Sequence, residues 1–192
     1  MRKNFYIFRH GETDLNKEKR CQGSGIDYDL NETGVAQASG LAEKLKGKNL
    51  EIIFSSPLLR ARHTAETIAG KLGAEVKTIS DLRECFYGDA EGALLSDIAE
   101  KWPHVALNWD NPACMDLQYP NGENKKDVLV RVMNALEKLV SQPYSTMGIA
   151  IHGGTMATLL NHFKFEFDKI PNCAAFKLVY ENGNFFIDGG LF

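Results

Sequence analysis

The apolar positions of this chain fall into two rhythms, short continuous runs and longer stretches that repeat every three or four residues. Phe5-Tyr6-Ile7-Phe8 is a continuous run that stops at Arg9-His10-Gly11, as expected of a strand buried on both faces. The spacing predicts a strand over 4–8, a polar loop over 11–30, and a helix carrying Val35, Ala38, Leu41, Ala42 and Leu45 between an Asn31 cap and Gly47. A short strand, Glu51–Phe54, leads into Ser55-Ser56-Pro57. That triplet predicts Ser56 as N-cap and Pro57 at the first position of a helix running through Ala61, Ala65, Ile68 and Leu72 to Gly73. A further strand is expected at Glu75–Ile79, followed by Asp81-Leu82-Arg83-Glu84.

From there to about Pro120 the rhythm loosens. Trp102-Pro103, Asn111-Pro112 and Tyr119-Pro120 interrupt it, and one short helix near Leu95–Trp102 is all that the pattern supports. The stretch from about 85 to 120 is therefore expected to be a cap or insertion in a single domain spanning 1–192. Its aromatics, Phe86, Tyr87, Trp102, Trp109 and Tyr119, either line a pocket or seal the local core. A helix over Asp127–Val140, a doubly buried strand at Met147–Ile151, a helix through Leu159, Leu160 and Phe163, and a hairpin around Asn182-Gly183 complete the chain. Strands alternating with helices predict a three-layer α/β/α sandwich around a largely parallel mixed sheet.

Composition narrows the function. The formal charge is −3 over 192 residues, with both signs dispersed, so there is no net pull toward nucleic acid or an anionic membrane. The apolar run before Arg9 is too short for a signal peptide's hydrophobic region or a membrane span, which predicts a cytoplasmic protein. Cys21, Cys85, Cys114 and Cys173 form no Cys-x-x-Cys pair, and are expected to be four reduced thiols rather than a zinc or redox site.

Arg9, His10, Arg60 and His152 all fall at or just after predicted strand ends, where open α/β sheets hold their ligands, and Glu84 enters from the loop after another strand. Two cations, two imidazoles and a carboxyl group suit phosphoryl transfer. Cations clamp the phosphoryl oxygens, an imidazole acts as nucleophile or base, and an acid protonates the leaving oxygen. Two arginines supply the charge, so no metal is required, and no cluster at metal-ligand spacing occurs. Glu91 and Glu123 are rivals to Glu84 for the acid; His63, on the Arg60 helix, is expected to have a packing or surface role, and His104 and His162 lack a surrounding motif. No Cys-x5-Arg loop and no Walker-type glycine loop is present.

Five blocks, Arg9-His10-Gly11-Glu12-Thr13, Ser55-Ser56-Pro57-Leu58-Leu59-Arg60-Ala61, Thr64-Ala65, Leu82-Arg83-Glu84 and His152-Gly153-Gly154, occur in this order. Together they resemble the histidine phosphatase superfamily, the phosphoglycerate mutase-like family. The resemblance implies that His10 is a nucleophile that becomes phosphohistidine, that Glu84 is the proton donor, and that Arg9, Arg60 and His152 hold the phosphoryl group with Asn16, Gln22, Gly23 and Gly153. It implies no metal and no cofactor. The expected partner is a small phosphate ester; a homodimer is left open.

The chain departs from many members at Ala90, where a large residue is common, and at Ala157, where an arginine is common. The mutase branch carries paired arginines in its insertion, whereas residues 85–120 contain no arginine. The chain looks more like the small phosphatases, α-ribazole phosphatase among them. The alternatives are mutase-type transfer and a non-catalytic phosphate-binding module. A mostly uncharged cap with Trp102, Trp109, Met115 and Tyr119 suits a neutral or partly apolar leaving group.

Overall fold

The structure is a computed structural model and describes residues 1–192. In chain order its elements are β1 (Arg2–Arg9), α1 (Asp14–Lys17), α2 (Glu32–Leu45), β2 (Ile52–Ser55), α3 (Leu59–Leu72), β3 (Glu75–Thr78), α4 (Leu95–Lys101), α5 (Pro103–Asn108), α6 (Lys125–Val140), β4 (Thr146–Ile151), α7 (Gly153–His162), β5 (Ala175–Glu181) and β6 (Asn184–Ile187). The six strands form one sheet in the order β3-β2-β4-β1-β5-β6. β3, β2, β4 and β1 run parallel, and β5 pairs antiparallel with both β1 and β6.

Strand side chains alternate between faces, and the core divides accordingly. Phe5 and Ile7 of β1, with Ile52 and Phe54 of β2, pack under Val128, Val132, Leu136 and Leu159 of α6 and α7. Tyr6, Phe8 and Ile53 point the other way, against Ala38, Leu41, Ala61, Ala65 and Ile68 of α2 and α3. This makes the three layers expected. Truncating a side chain as buried as Phe5 costs about 3–5 kcal/mol. Asn182 and Gly183 both have positive φ, 52° and 87°, the type I′ geometry expected of the β5–β6 hairpin.

β4 lies between β1 and β2, so the chain reverses its direction of progress across the sheet there. The register pairs Arg9 with Ile151 and Ser55 with Ala150. The residues that follow these strands, His10, Ser56 and His152, therefore emerge side by side at one carboxyl edge, the usual ligand crevice of such sheets.

Four local expectations need correction. The loop after β1 contains the one-turn helix α1, closed by a capping box between Thr13 and Asn16. Ser56 does not cap α3, and Pro57 is not its first residue; the helix starts at Leu59, whose amide donates to Asp27 Oδ1 at 2.7 Å. A carboxylate from a distant loop thus serves the helix start, where its charge also suits the helix dipole. The cap holds two helices rather than one, since Pro103 opens α5 at a position where its missing amide costs nothing. Finally, α6 begins at Lys125, under an Asn124 cap, two residues before Asp127.

The cap is stitched to the loop after β1 by main-chain bonds. Cys21 N donates to Ala93 O at 2.9 Å, Gly92 N to Cys21 O at 2.8 Å, and Leu95 N to Lys19 O at 2.9 Å. Lys125, only 3% exposed, donates from Nζ to the carbonyls of Trp109 and Asn111 and fixes the far end of the cap. No helix is long and apolar enough to cross a membrane. The four cysteines are unpaired.

Candidate active site

A cleft of about 470 Å3 opens at the carboxyl edge of β1 and β4. Arg9, His10, Asn16, Gln22, Glu84 and Gly153 line it. Arg60, Gly23 and His152 do not; all three are buried. The rings of His10 and His152 lie 5.3 Å apart.

His10 is delivered by β1 and is 3% exposed. Its Nδ1 lies 2.6 Å from the Gly11 carbonyl oxygen. A carbonyl can only accept, so Nδ1 carries the hydrogen, and the neutral ring is left with its lone pair on Nε2. Burial, then the charges of Arg60 and Arg9, hold this imidazole well below its ordinary pKa, against an opposing contribution from the Gly11 bond. The backbone around it is pinned. Gly11 N donates to Thr64 Oγ1 at 3.0 Å, and Thr64 Oγ1 donates to the Arg60 carbonyl at 2.7 Å.

Asn172, unremarked in the sequence, donates from Nδ2 to His10 O and to Asn16 Oδ1, both at 3.1 Å. Asn16 Oδ1 also accepts from Thr13 N, so the Asn16 amide nitrogen is left as a donor. Gln22 is set in the same way. Thr13 Oγ1 donates to Gln22 Oε1 at 2.7 Å, and the buried Nε2 has no partner.

Arg60 is fully buried and spans from α3 to the loop, donating from Nη1 to Ile26 O and from Nη2 to the carbonyls of Gln22 and Gly23. Arg9 donates from Nη1 to Ile170 O at 2.6 Å. His152 is also held well below its ordinary pKa, by burial and then by Arg60 and His10. Arg9 Nε, Arg60 Nε, Gln22 Nε2 and His152 Nδ1 are all buried without a hydrogen-bond partner. Buried polar atoms are normally satisfied, so unpaired nitrogens on two residues that line the cleft beside His10 and on two that neighbour it mark a place built for a hydrogen-bond acceptor. Two guanidinium groups make that acceptor an anion.

Glu84 is 4% exposed and sits at the start of α7. Oε1 accepts from Cys85 N, Thr155 N and Thr155 Oγ1, and Oε2 from Gly154 N at 2.9 Å. A Cβ on Gly154 would lie 2.1 Å from the Tyr87 hydroxyl and 2.9 Å from Glu84 Oε1; only glycine lets both groups approach. Burial, then the Glu84 charge, push the Tyr87 phenol well above its ordinary pKa, so it stays a hydroxyl. The Glu84 backbone is held by Arg131, which donates to the carbonyls of Asp81, Arg83 and Glu84 and is paired to Glu123 at 2.8 Å.

The rival acids have other partners. Glu123 is the counter-ion of Arg131, and Glu91 Oε1 accepts from Tyr87 N and Gly25 N. Gly23 packs against that same Glu91 carboxylate. His63 is paired with exposed Asp29 at 2.8 Å. Of the cap aromatics, Tyr87, Trp109 and Tyr119 line the cleft. Trp102 instead packs on Tyr119, with ring centroids 5.7 Å apart, and Phe86 is 40% exposed. No group of three or more His, Cys, Asp or Glu side chains is placed to hold a metal ion.

Residues 5–189 match the family described as "Histidine phosphatase superfamily (branch 1)". The chain belongs to that superfamily. Its relatives carry the names of both phosphatases and mutases. A Bacillus subtilis protein named "Uncharacterized phosphatase PhoE" is 37% identical over 156 residues, covering 80% of this chain and 74% of its own. A "2,3-bisphosphoglycerate-dependent phosphoglycerate mutase" from Beijerinckia indica is 34% identical over 164 residues, covering 80% and 77%. Among solved structures, mycobacterial glucosyl-3-phosphoglycerate phosphatase in complex with VO3 superposes with a TM-score of 0.86 at 28% identity, over 97% of each chain.

Sequence reasoning missed Asn172, Arg131, Thr155 and Asp27. Each acts through a contact more than 30 residues away in the chain, which no local pattern records.

Proposed function

We propose that this chain is a metal-independent phosphatase that hydrolyses a small phosphomonoester through a phosphohistidine on His10. The observation that carries the reading is the His10 tautomer: Nδ1–H is committed to the Gly11 carbonyl, so the lone pair is on Nε2, in a site with the four unpaired nitrogens. Nε2 attacks phosphorus in line. The bond from phosphorus to the ester oxygen breaks, and Glu84 passes its proton to that oxygen. Oε1 already accepts three donors and Oε2 only one, so the proton to be given belongs on Oε2. In the second half, water attacks the phosphohistidine, Glu84 takes back a proton, and phosphate leaves with Nε2 restored.

Arg9, Arg60 and His152 are assigned to the phosphoryl oxygens, supported by the Asn16 and Gln22 amides and by Gly23 and Gly153 at the turns that carry them. The charge that develops on those oxygens is met by groups already in position, which is where such sites gain most of their rate. No arginine occurs in residues 85–120, so the cap lacks the paired arginines of the mutase branch.

The test is turnover of a panel of phosphomonoesters with a chelator present, wild type beside His10→Ala, and trapping of the acid-labile phosphoenzyme by mass spectrometry. Free phosphate and a phosphorylated His10 are expected. Activity surviving in His10→Ala refutes the nucleophile assignment, loss of wild-type turnover with chelator refutes metal independence, and conversion of 3- to 2-phosphoglycerate without free phosphate restores the mutase.

A further inference from the structure

The cleft has two chemically distinct ends. One holds His10 and its polar neighbours. The other, beneath the cap, is walled by Leu95, Ile98, Ala99 and Ala106 and by the rings of Trp109 and Tyr119. Those two rings stack with centroids 5.2 Å apart, and Tyr87 meets Trp109 edge-on at 5.3 Å.

The charges on this outer wall are Arg20 and Asp110. Arg20 is already engaged, with Nε 3.0 Å from Glu18 Oε2 and Nη1 donating to Gly92 O at 2.8 Å. Lys125 lies behind Trp109 with its Nζ turned to two backbone carbonyls. An adjoining groove beyond Arg9 has Lys169, but Asp110 and Asp168 border it too. Once Arg9 and Arg60 are given to the phosphoryl group, no excess positive charge remains for the rest of the substrate.

We infer that the ester this site takes has an apolar alcohol, alkyl or aromatic, with no second phosphate or carboxylate. The inference rests on the phosphatase reading above and specifies its substrate. Roughly 470 Å3 is ample for a phosphoryl group and a six- to ten-carbon body. A carboxylate placed there would exchange water for Leu95, Ile98 and Trp109, on a wall whose cation is already paired and which also carries Asp110.

The test is the n-alkyl phosphate series from ethyl to hexyl, in which the leaving oxygen keeps nearly the same basicity while apolar area grows. kcat/KM is expected to rise about two- to fourfold per methylene buried, and 5-carboxypentyl phosphate to fall at least tenfold below hexyl phosphate. Ala99→Lys adds a cation at an exposed position of the wall and is expected to narrow that gap by raising the carboxylated ester. A flat alkyl series with turnover throughout, or a carboxylated ester as good as the hexyl one, overturns this inference alone. No turnover of any ester overturns the phosphatase reading and takes this inference with it.

Discussion

Ser56 Oγ and His152 Nε2 lie 2.7 Å apart, both side chains fully buried. Ser56 Oγ also accepts from Leu58 N at 3.3 Å. Nε2 is the only acceptor within reach of the hydroxyl hydrogen, and donation there leaves the neutral His152 ring with its own hydrogen on the unpaired Nδ1. The serine read from sequence as a helix cap instead sets the tautomer of a histidine 96 residues away. Ser56→Ala is expected to lower kcat/KM about tenfold, in line with the roughly 1.4 kcal/mol of one well-placed hydrogen bond. Ser56→Thr should restore most of it. Nitrogen NMR of His152 reads the proton position directly, and an unchanged Nδ1–H signal in Ser56→Ala would sink the assignment.

Arg131 and Glu123 form a nearly buried pair, 10% and 14% exposed, that holds the Glu84 main chain. Glu123→Gln removes the counter-ion but keeps one acceptor. It should destabilise the fold by about 1–3 kcal/mol in urea titrations, since Arg131 loses one charged acceptor while keeping a neutral one. It should also lower kcat with little change in KM, because the group displaced is the one proposed as proton donor rather than any proposed for the phosphoryl clamp. A rise in KM alone would contradict that division of labour.

Stability should fall with acidity from about pH 6.5 downward. His10 and His152 are both held well below their ordinary pKa. Above pH 6.5 neither state binds the extra protons. Below it the unfolded chain takes them up while the buried rings do not, so the unfolded state gains until the folded-state values are reached. Urea midpoints at pH 7.5, 6.5 and 5.5 measure this, and His10→Gln with His152→Gln together should flatten the slope. An equal slope in the double variant would place the titrating groups elsewhere.

Cys21 lines the cleft, yet burial, then Glu84 and Glu91, push its thiol up to about 12. It should resist alkylation at pH 7.5, since the thiolate is the reactive form. Iodoacetamide is expected to label the half-buried Cys114 first, with activity retained. Rapid labelling of Cys21 by peptide mass mapping would overturn this.

The layers of the fold were legible because doubly apolar runs and capped amphipathic stretches each have one structural solution. Arg9, His10 and His152 were legible at the site because each directly follows such a run. Hidden from sequence were α1, whose single turn looks like polar loop, and the origin of the α3 cap in Asp27 rather than Ser56. Arg131 was hidden for a related reason. It sits in the middle of an ordinary amphipathic helix, and only the folded chain shows its side chain crossing to the Glu84 loop.

Three of the bonds that join the cap to the loop of Asn16 and Gln22 run between main-chain atoms, at Cys21 to Ala93, Cys21 to Gly92 and Lys19 to Leu95, and the side chains that add to them, Arg20 and Glu91, lie outside α4 and α5. Side chains on α4 and α5 can therefore be replaced without cutting them. Substitutions along that wall of the cleft can thus accumulate without loosening the loop that carries Asn16 and Gln22.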